Sequence, residues 1–583
     1  MHKGGDEPSR ASGVRVPAGR ACSFGLASEE EAMSNVDDNG LDLNTDVLVV
    51  GGGPAAAWAA IAARERGAEV VLVDKGYVGS SGAFAASTSG HKVLPPIAEL
   101  RDPVKFERYT MGGFLAQHRW WDRLLDITYD RAPRIWEWAG YDIPVWDRSA
   151  RGSYRGLQGS ETMRILRKVL LQKGVKILDQ SPALELLIDA EGAVAGARGI
   201  NRQTDVPWTV KSAATVIAAG GIAWLSKALG CNTNTGDLHL SAAEVGAELS
   251  SMEFSAHYSP APVHSSCTKG AFYRYATYSD ASGNELLGLS KNGHRSTSAI
   301  AKELLKAPVF CKLDKGTEKP ETRQMLRLMQ PNFFAAFDKV GIDPFEQRWE
   351  MTLLLEGTVR GTGGVRIAND ECGTTVPGLY AAGDTATREL NCGGFTGGAG
   401  PNMTWAIGSG NIAGRAAADF ARSLGKRVNE RAVERVGGAG LRSRKHSNPF
   451  DANAVVKGVQ DEVFPFDKNI FRTEKGILES LGKLDHLWEA VQGSPLQDTA
   501  QHLIRSREAA ALVATARWSY FAGLQRTETR GMHKRLDYPA LDPAQRHYLR
   551  VGGLDKLWTR ADPVPEAIVQ KPEPAPQVAV AAE

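Results

Sequence analysis

The first strong apolar run, Val47 to Val50, gives way to Gly51-Gly52-Gly53, then to an alanine-rich stretch reaching Arg66, then to a second run over Glu69 to Val73. Short contiguous apolar runs bounded by glycine predict strands buried on both faces, and the alanine-rich stretch predicts a helix. Together they form a strand-turn-helix-strand unit, the opening of a doubly wound parallel sheet. Further along, Val175 to Leu178 and Leu184 to Ile188 predict short strands, the latter entering a hairpin through Ala190-Glu191-Gly192. Thr215 to Ala219, before Gly220-Gly221, predicts another buried parallel strand, and Gly378 to Asp384 returns to the strand-turn pattern of the opening unit. Helical periodicity dominates after Asn429, with amphipathic runs over Thr473 to Gln492 and Asp498 to Gly523.

These changes of pattern set the expected organisation of an α/β protein. Residues 1–44, polar and aperiodic, are expected to be a disordered leader. Residues 45–250 and 352–428 form two parts of one Rossmann-like domain, interrupted by an inserted α+β capping domain at 251–351. A C-terminal helical domain follows at 429–561. The Pro- and Ala-rich residues 562–583 are expected to be a disordered tail.

Gly51-Gly52-Gly53-Pro54-Ala55-Ala56 fits the dinucleotide-binding turn, and it stands where the chemistry requires, after a strand and opening a helix. Gly51 permits the tight turn, Gly53 lets a pyrophosphate approach the backbone, and Ala56 allows close helix-to-strand packing. Pro54 and Ala55 begin a helix whose free amides favour anions. Asp74, 23 residues past Gly51, suits a carboxylate accepting hydrogen bonds from an adenosine ribose, with Lys75 beside it. Gly408-Ser409-Gly410-Asn411-Ile412-Ala413 also matches the motif, but it lacks a preceding strand and reads as a small-residue helix-packing face. No second nucleotide-binding βαβ unit and no redox C-x-x-C pair are visible.

Composition narrows the partners. With 69 Lys and Arg against 67 Asp and Glu among 583 residues, there is no electrostatic footprint for nucleic acid. No apolar run approaches the roughly 18 residues that span a bilayer. Six scattered cysteines suit neither a zinc site, nor a cluster, nor a disulfide scaffold, so no metal is expected and the chain reads as cytoplasmic.

Several blocks then identify a resemblance. Ser81-Gly82-Ala83-Phe84-Ala85-Ala86, Thr235-Gly236-Asp237, Met252-Glu253-Phe254, Val376 to Asp384, and Glu528-Thr529-Arg530-Gly531-Met532-His533-Lys534-Arg535-Leu536-Asp537-Tyr538-Pro539 occur in that order. The chain resembles the succinate dehydrogenase and fumarate reductase flavoprotein superfamily, which includes L-aspartate oxidase and adenylylsulfate reductase, and the resemblance implies that Met252-Glu253-Phe254 is a strand. The resemblance implies FAD, with Ser81, Gly82, Ala83, Ala219, Gly220, Asp237, Gly383, Asp384, Asn402 and Thr404 joining the turn residues along the cofactor. Gly82 replaces the histidine that carries covalent flavin in some members, so FAD is expected to be non-covalent.

The resemblance also implies a site for dicarboxylates, built in fumarate reductases from two histidines and two arginines. Those positions correspond here to Tyr258, Val359, Ser298 and Gly398, so none of the four is retained. Tyr258, Arg360, His257 and Arg388 are the replacement candidates. The expected function is an FAD-dependent oxidoreductase exchanging a hydride at flavin N5 with a small anionic substrate, its electrons shared with an iron-sulfur, ferredoxin-like subunit. Two alternatives stay open: a dicarboxylate enzyme such as L-aspartate oxidase or fumarate reductase with relocated cations, and a non-catalytic FAD-binding scaffold subunit.

Overall fold

The computed structural model describes residues 36–37, 40–141, 147–148, 153–268, 271–292, 297–396, 399–425, 431–442, 449–493 and 499–566. Most of the expected leader, most of the expected tail, and Gly398 lie outside these residues.

The opening unit is as the apolar pattern predicts: strand β1 (Gly40–Val50), helix α1 (Pro54–Glu65) and strand β2 (Val70–Val73). Val47, Leu48 and Val49 are fully buried because both faces of the sheet are covered. Strands β3 (Lys176–Leu178), β4 (Ala183–Ile188), β5 (Val194–Ile200), β6 (Pro207–Ile217) and β7 (Leu379–Ala381) complete the main sheet. Its order runs from Glu434–Arg435 through β4, β5, β6, β1 and β2 to β3, with β7 added beside β6. β6, β1, β2 and β7 are mutually parallel, with Val49 opposite Val216, Val50 opposite Val73 and Tyr380 opposite Val216. Their carboxyl ends therefore meet at one edge, the place where open α/β sheets bind ligands.

Helix α2 (Ala399–Leu424) crosses α1 at close range. A Cβ at Gly410 would stand 2.4 Å from the Ala55 carbonyl oxygen, and one at Gly414 would stand 2.1 Å from that of Ala59. The second glycine motif is thus a packing face, as its lack of a preceding strand implied.

The inserted domain is built on a four-stranded antiparallel sheet ordered Tyr258–Pro262, Trp349–Leu355, Val309–Leu313, Ala276–Ser279. Its core stacks Phe333, Phe334 and Phe337 near Trp349. The last strand carries this sheet to Leu355, four residues beyond the expected boundary at Met351, because Leu355 pairs with Tyr258. Met252–Phe254 is a 3-10 turn rather than a strand: Ser251, at φ 56°, ends the short strand Leu249–Ser250 and folds Glu253 inward.

Three further boundaries shift. β1 begins at Gly40 within the expected leader, since Leu41 to Thr45 pair in register with Trp208 to Ser212 of β6. The C-terminal region is helical through Ala452–Val463, Glu474–Ala490 and α3 (Ala500–Gln525). It then ends in a hairpin, His547–Gly552 with Trp558–Pro563, which joins Leu249–Ser250 and Gly364–Val365 in a four-stranded sheet. That hairpin runs past the expected end of order at 561. Glu566 then accepts from the amides of His118, at 2.7 Å, and Arg119, at 3.1 Å, capping the helix His118–Arg131.

Candidate active site

Gly51 follows the last residue of β1 with φ 126°, and a Cβ there would lie 2.3 Å from the Ala218 carbonyl oxygen. This glycine is required by the crossing of β6 as well as by the turn. Gly53 is the N-cap of α1; a Cβ on it would meet no protein atom within 4 Å. No side chain caps this helix and no acid stands in its first turn, so its amides and positive dipole end face open space.

That space is a cleft of about 1030 Å³ at the carboxyl edge of the sheet. Gly52, Gly53, Pro54 and Ala55 form one wall, and Asp74, Ser81, Gly82, Ala83 and Phe84 a second. Ala218, Ala219, Gly220, Thr233 and Asn234 form a third, and Gly383, Asp384, Asn402, Met403 and Ala406 a fourth; Val359 and Arg360 enter from the junction with the inserted domain. A smaller hollow of about 480 Å³ shares Asp74, Ala219, Gly220 and Thr233 with it and adds Gly51, Lys75, Asp237 and His239. An elongated dinucleotide fits this pair of connected spaces, and the chemistry of the walls agrees. The Asn234 and Asn402 side-chain oxygens are buried without a hydrogen-bond partner, and Gly82, at φ 86°, would point a Cβ at no protein atom.

Asp74 Oδ2 accepts from Ser81 Oγ at 2.6 Å and from the Gly76 amide at 3.1 Å, which ties the end of β2 to the Ser81-Gly82-Ala83 segment. Burial nevertheless raises its pKa above the usual carboxylate range. Lys75 and Asp237 line the smaller hollow, but their charges are committed elsewhere. Lys75 Nζ lies 2.6 Å from Asp237 Oδ2, 2.6 Å from Glu508 Oε1 on α3, and 2.7 Å from Thr235 Oγ1. At the side-chain level these contacts tie β2, the Thr235-Gly236-Asp237 turn and the C-terminal region together. Ala56, in the first turn of α1, is fully buried, as its packing role requires. Thr404 is fully buried too, and Met403 and Ala406 reach the cleft in its place.

Of the four catalytic candidates, only Arg360 reaches the cleft. Tyr258 is 1% exposed, and its hydroxyl donates to the Val463 carbonyl oxygen at 2.6 Å, so burial pushes its pKa far up and the group is structural. His257 Nε2 is bonded to Ser259 Oγ at 3.1 Å, and His257 does not line the cleft. Arg388 is also 1% exposed: it pairs with Asp384 at 2.7 Å and donates to the carbonyl oxygens of Thr358 and Gly361. Held by these acceptors, Arg388 is sealed behind Asp384 and does not line the cleft. Of the positions matched to the dicarboxylate-binding residues, Val359 lines the cleft and Ser298 lies on the helix Thr297–Leu304 of the inserted domain.

Asn234, Thr233, Met163, Met403 and His239 were not anticipated. Asn234 stands immediately before Thr235-Gly236-Asp237, so that turn was the available signal. His239, two residues beyond it, is held by burial at a pKa of about 4 and is therefore neutral.

The inserted domain rests on the segment that runs from Ser81 to Ala86. Asn332 Nδ2 donates to the Ala86 carbonyl oxygen at 3.0 Å, and Gln158 Nε2 donates to that of Leu328 at 3.1 Å. Behind it, the block beginning at Glu528 forms a buried chain of charges. Arg526 pairs with Glu253 at 2.8 Å and with Glu528 at 2.9 Å, and Arg530 pairs with Glu528 at 2.5 Å. His533 accepts from Arg472 at 3.0 Å and is driven well below its ordinary pKa by burial. These residues weld the helical region to the junction of the other two.

Comparison with known proteins agrees with this architecture. A family model described as FAD binding domain matches residues 46–156 and 144–400, and one described as Fumarate reductase flavoprotein C-term matches residues 462–559. A fumarate reductase (CoM/CoB) subunit from Methanothermobacter marburgensis is 23% identical over 558 residues, covering 85% of this chain and 95% of that protein. A quinol fumarate reductase structure from E. coli superposes with a TM-score of 0.73 at 18% identity, covering 92% of this chain and 99% of that one. Adenylylsulfate reductase from Archaeoglobus fulgidus superposes with a TM-score of 0.69 at 18% identity, covering 92% and 97%. No helix among the described residues is long and apolar enough to cross a membrane. The chain belongs to the succinate dehydrogenase and fumarate reductase flavoprotein superfamily and is an FAD-dependent oxidoreductase.

Proposed function

We propose that the protein exchanges two electrons with a small anionic substrate held between the flavin and the inserted domain, with FAD bound non-covalently. FAD, when bound, supplies hydride exchange at N5; the chain's part is to orient the substrate and exclude water. The single observation that carries this reading is the entry of Arg360 into the cleft lined by Ser81, Gly82 and Ala83. An arginine stays charged at any accessible pH and presents planar donors to carboxylate, sulfonate or phosphate. Non-covalent attachment is supported by Gly82, which offers no side chain to bond.

One cation suits one anionic group. A dicarboxylate calls for two, and the relocated-cation reading loses Arg388 to Asp384 and His257 to Ser259. Exchange of electrons with an iron-sulfur protein is supported by the nature of the relatives, since the methanogen fumarate reductase chain is by name one component of a larger enzyme.

The test is anaerobic bleaching of the flavin by a panel of monocarboxylates, dicarboxylates, amino acids, sulfonates and sulfite. A monoanion that bleaches the native protein, and fails at equal concentration on Arg360→Met, supports the reading. Bleaching by a dicarboxylate that survives Arg360→Met removes it. Acid precipitation should release the yellow colour to the supernatant, and copurification should recover an iron-bearing protein.

A further inference from the structure

Glu356 is fully buried, and it sits where the inserted domain, the cleft and the main sheet join. It follows the strand Trp349–Leu355, and its amide donates to the His257 carbonyl oxygen at 2.8 Å. Its carboxylate gathers donors from three separate stretches of chain. Ser259 Oγ donates to Oε2 at 2.6 Å, Thr268 Oγ1 donates to Oε1 at 2.6 Å, and Arg360 Nε stands 3.2 Å from Oε2. A buried carboxylate is tolerated only when its lone pairs are filled and its charge is met, and here Arg360 does the second. Among the described residues no other side chain is bonded to the Arg360 guanidinium, which remains 28% exposed on the cleft side.

The backbone between the two residues is fixed as tightly. Gly357, at φ 53°, would drive a Cβ to 2.0 Å from the Ile222 carbonyl oxygen, so the chain from Glu356 to Arg360 lies directly on the turn after β6. Gly221, in that turn, would place a Cβ 2.6 Å from the Val359 amide nitrogen. Arg360 thus has a rigid base and one anionic anchor, and its Nη groups are left to an incoming ligand.

We propose that Glu356 is the positioning residue that aims Arg360 at the substrate, with Ser259 and Thr268 holding its carboxylate in place. This rests on the reading of Arg360 as the anion-binding group, and the experiment separates the two.

Benzoate binding to the oxidised holoprotein is followed by its perturbation of the flavin spectrum. Arg360→Met is expected to raise the Kd at least ~10-fold, the scale of one lost charged hydrogen bond. Glu356→Gln keeps volume and burial and should raise it about 5- to 10-fold, and Thr268→Val about 3-fold. In an Arg360→Met background, both substitutions should change the Kd less than about 2-fold, because their effect passes through Arg360. A merely structural role would weaken binding equally in both backgrounds, and that result overturns the proposal. If Arg360→Met weakens benzoate while Glu356→Gln and Thr268→Val do not, the positioning role fails and the anion-binding role stands. If the native protein takes no benzoate, or Arg360→Met binds it as well, both fail. Should Glu356→Gln yield no folded holoprotein, Ser259→Ala and Thr268→Val carry the same cycle, and equal effects in the two backgrounds overturn the proposal.

Discussion

Arg388 Nη1 stands 2.7 Å from Asp384 Oδ1, and this pairing decides which cation serves the cleft. Asp384 lines the cleft and is a quarter exposed, whereas Arg388 is sealed behind it and also holds the Thr358 and Gly361 carbonyls. Arg388 is therefore the counter-ion of a cleft carboxylate, and it pins the backbone on either side of Arg360. Arg388→Met should destabilise the protein by about 3 to 5 kcal/mol, because it strands that carboxylate and two carbonyl oxygens. Asp384→Asn in the same background should recover part of the loss. Urea unfolding of the native protein and the two variants measures it, and equal stability of all three would deny the pair any structural part.

The Lys75 hub makes a parallel case with the opposite stoichiometry, since one ammonium serves Asp237 and Glu508, each at 2.6 Å. Burial alone would lower the Lys75 pKa, but the two carboxylates reverse this and raise it, so the group stays charged. Lys75→Met would leave two carboxylates facing each other at low solvent exposure and should cost about 3 to 5 kcal/mol. Glu508→Gln should cost less, since Asp237 still neutralises the lysine. Because the hub ties β2 to α3, partial proteolysis of Lys75→Met should release the C-terminal region first.

Legibility in the sequence followed distance along the chain. Gly51, Gly53 and Ala56 act on neighbours within one strand-turn-helix unit, so their spacing carries their meaning. Tyr258 looked catalytic because the family resemblance placed it at a catalytic position, yet its hydroxyl answers to Val463, some 205 residues on. Arg388 and Asp384 are close in sequence, but the acceptors that bury Arg388, at Thr358 and Gly361, come from the far side of β7. The hairpin at His547–Gly552 and Trp558–Pro563 was hidden for the same reason: its partner, Leu249–Ser250, lies about 300 residues earlier. Glu356 carried no motif at all, since its role exists only once Ser259 and Thr268 surround it.

Buried histidines set the acid limb of stability. His91 has no hydrogen-bond partner on either ring nitrogen, and burial holds both it and His239 at about 4, against an ordinary 6.5. Between these values the unfolded chain takes up protons that the folded chain refuses. Stability is therefore full above pH 6.5, falls as pH drops toward 4, and levels off below it with respect to these two groups. Each contributes on the order of 3 kcal/mol across that window. His91→Phe should flatten the decline in Tm between pH 6.5 and 4, and an unchanged slope would mean that His91 protonates freely in the folded state.

Two glycines of the nucleotide turn should respond differently to the same added methyl group, because they face different things. At Gly51 the methyl would lie 2.3 Å from the Ala218 carbonyl oxygen, on a backbone at φ 126° that side chains disfavour. At Gly53 it would meet no protein atom within 4 Å, on a backbone at φ −80° that alanine adopts without strain. Gly51→Ala should therefore destabilise the apoprotein and holoprotein alike, by about 2 kcal/mol or more. Gly53→Ala should leave the apoprotein within about 1 kcal/mol of native, the ordinary range for an N-cap exchange, yet weaken FAD binding at least 10-fold. Thermal unfolding with and without FAD, together with FAD titration by tryptophan quenching, distinguishes them. Native-like FAD affinity in Gly53→Ala would show that the methyl points away from the pyrophosphate and would displace the cofactor from the tip of α1.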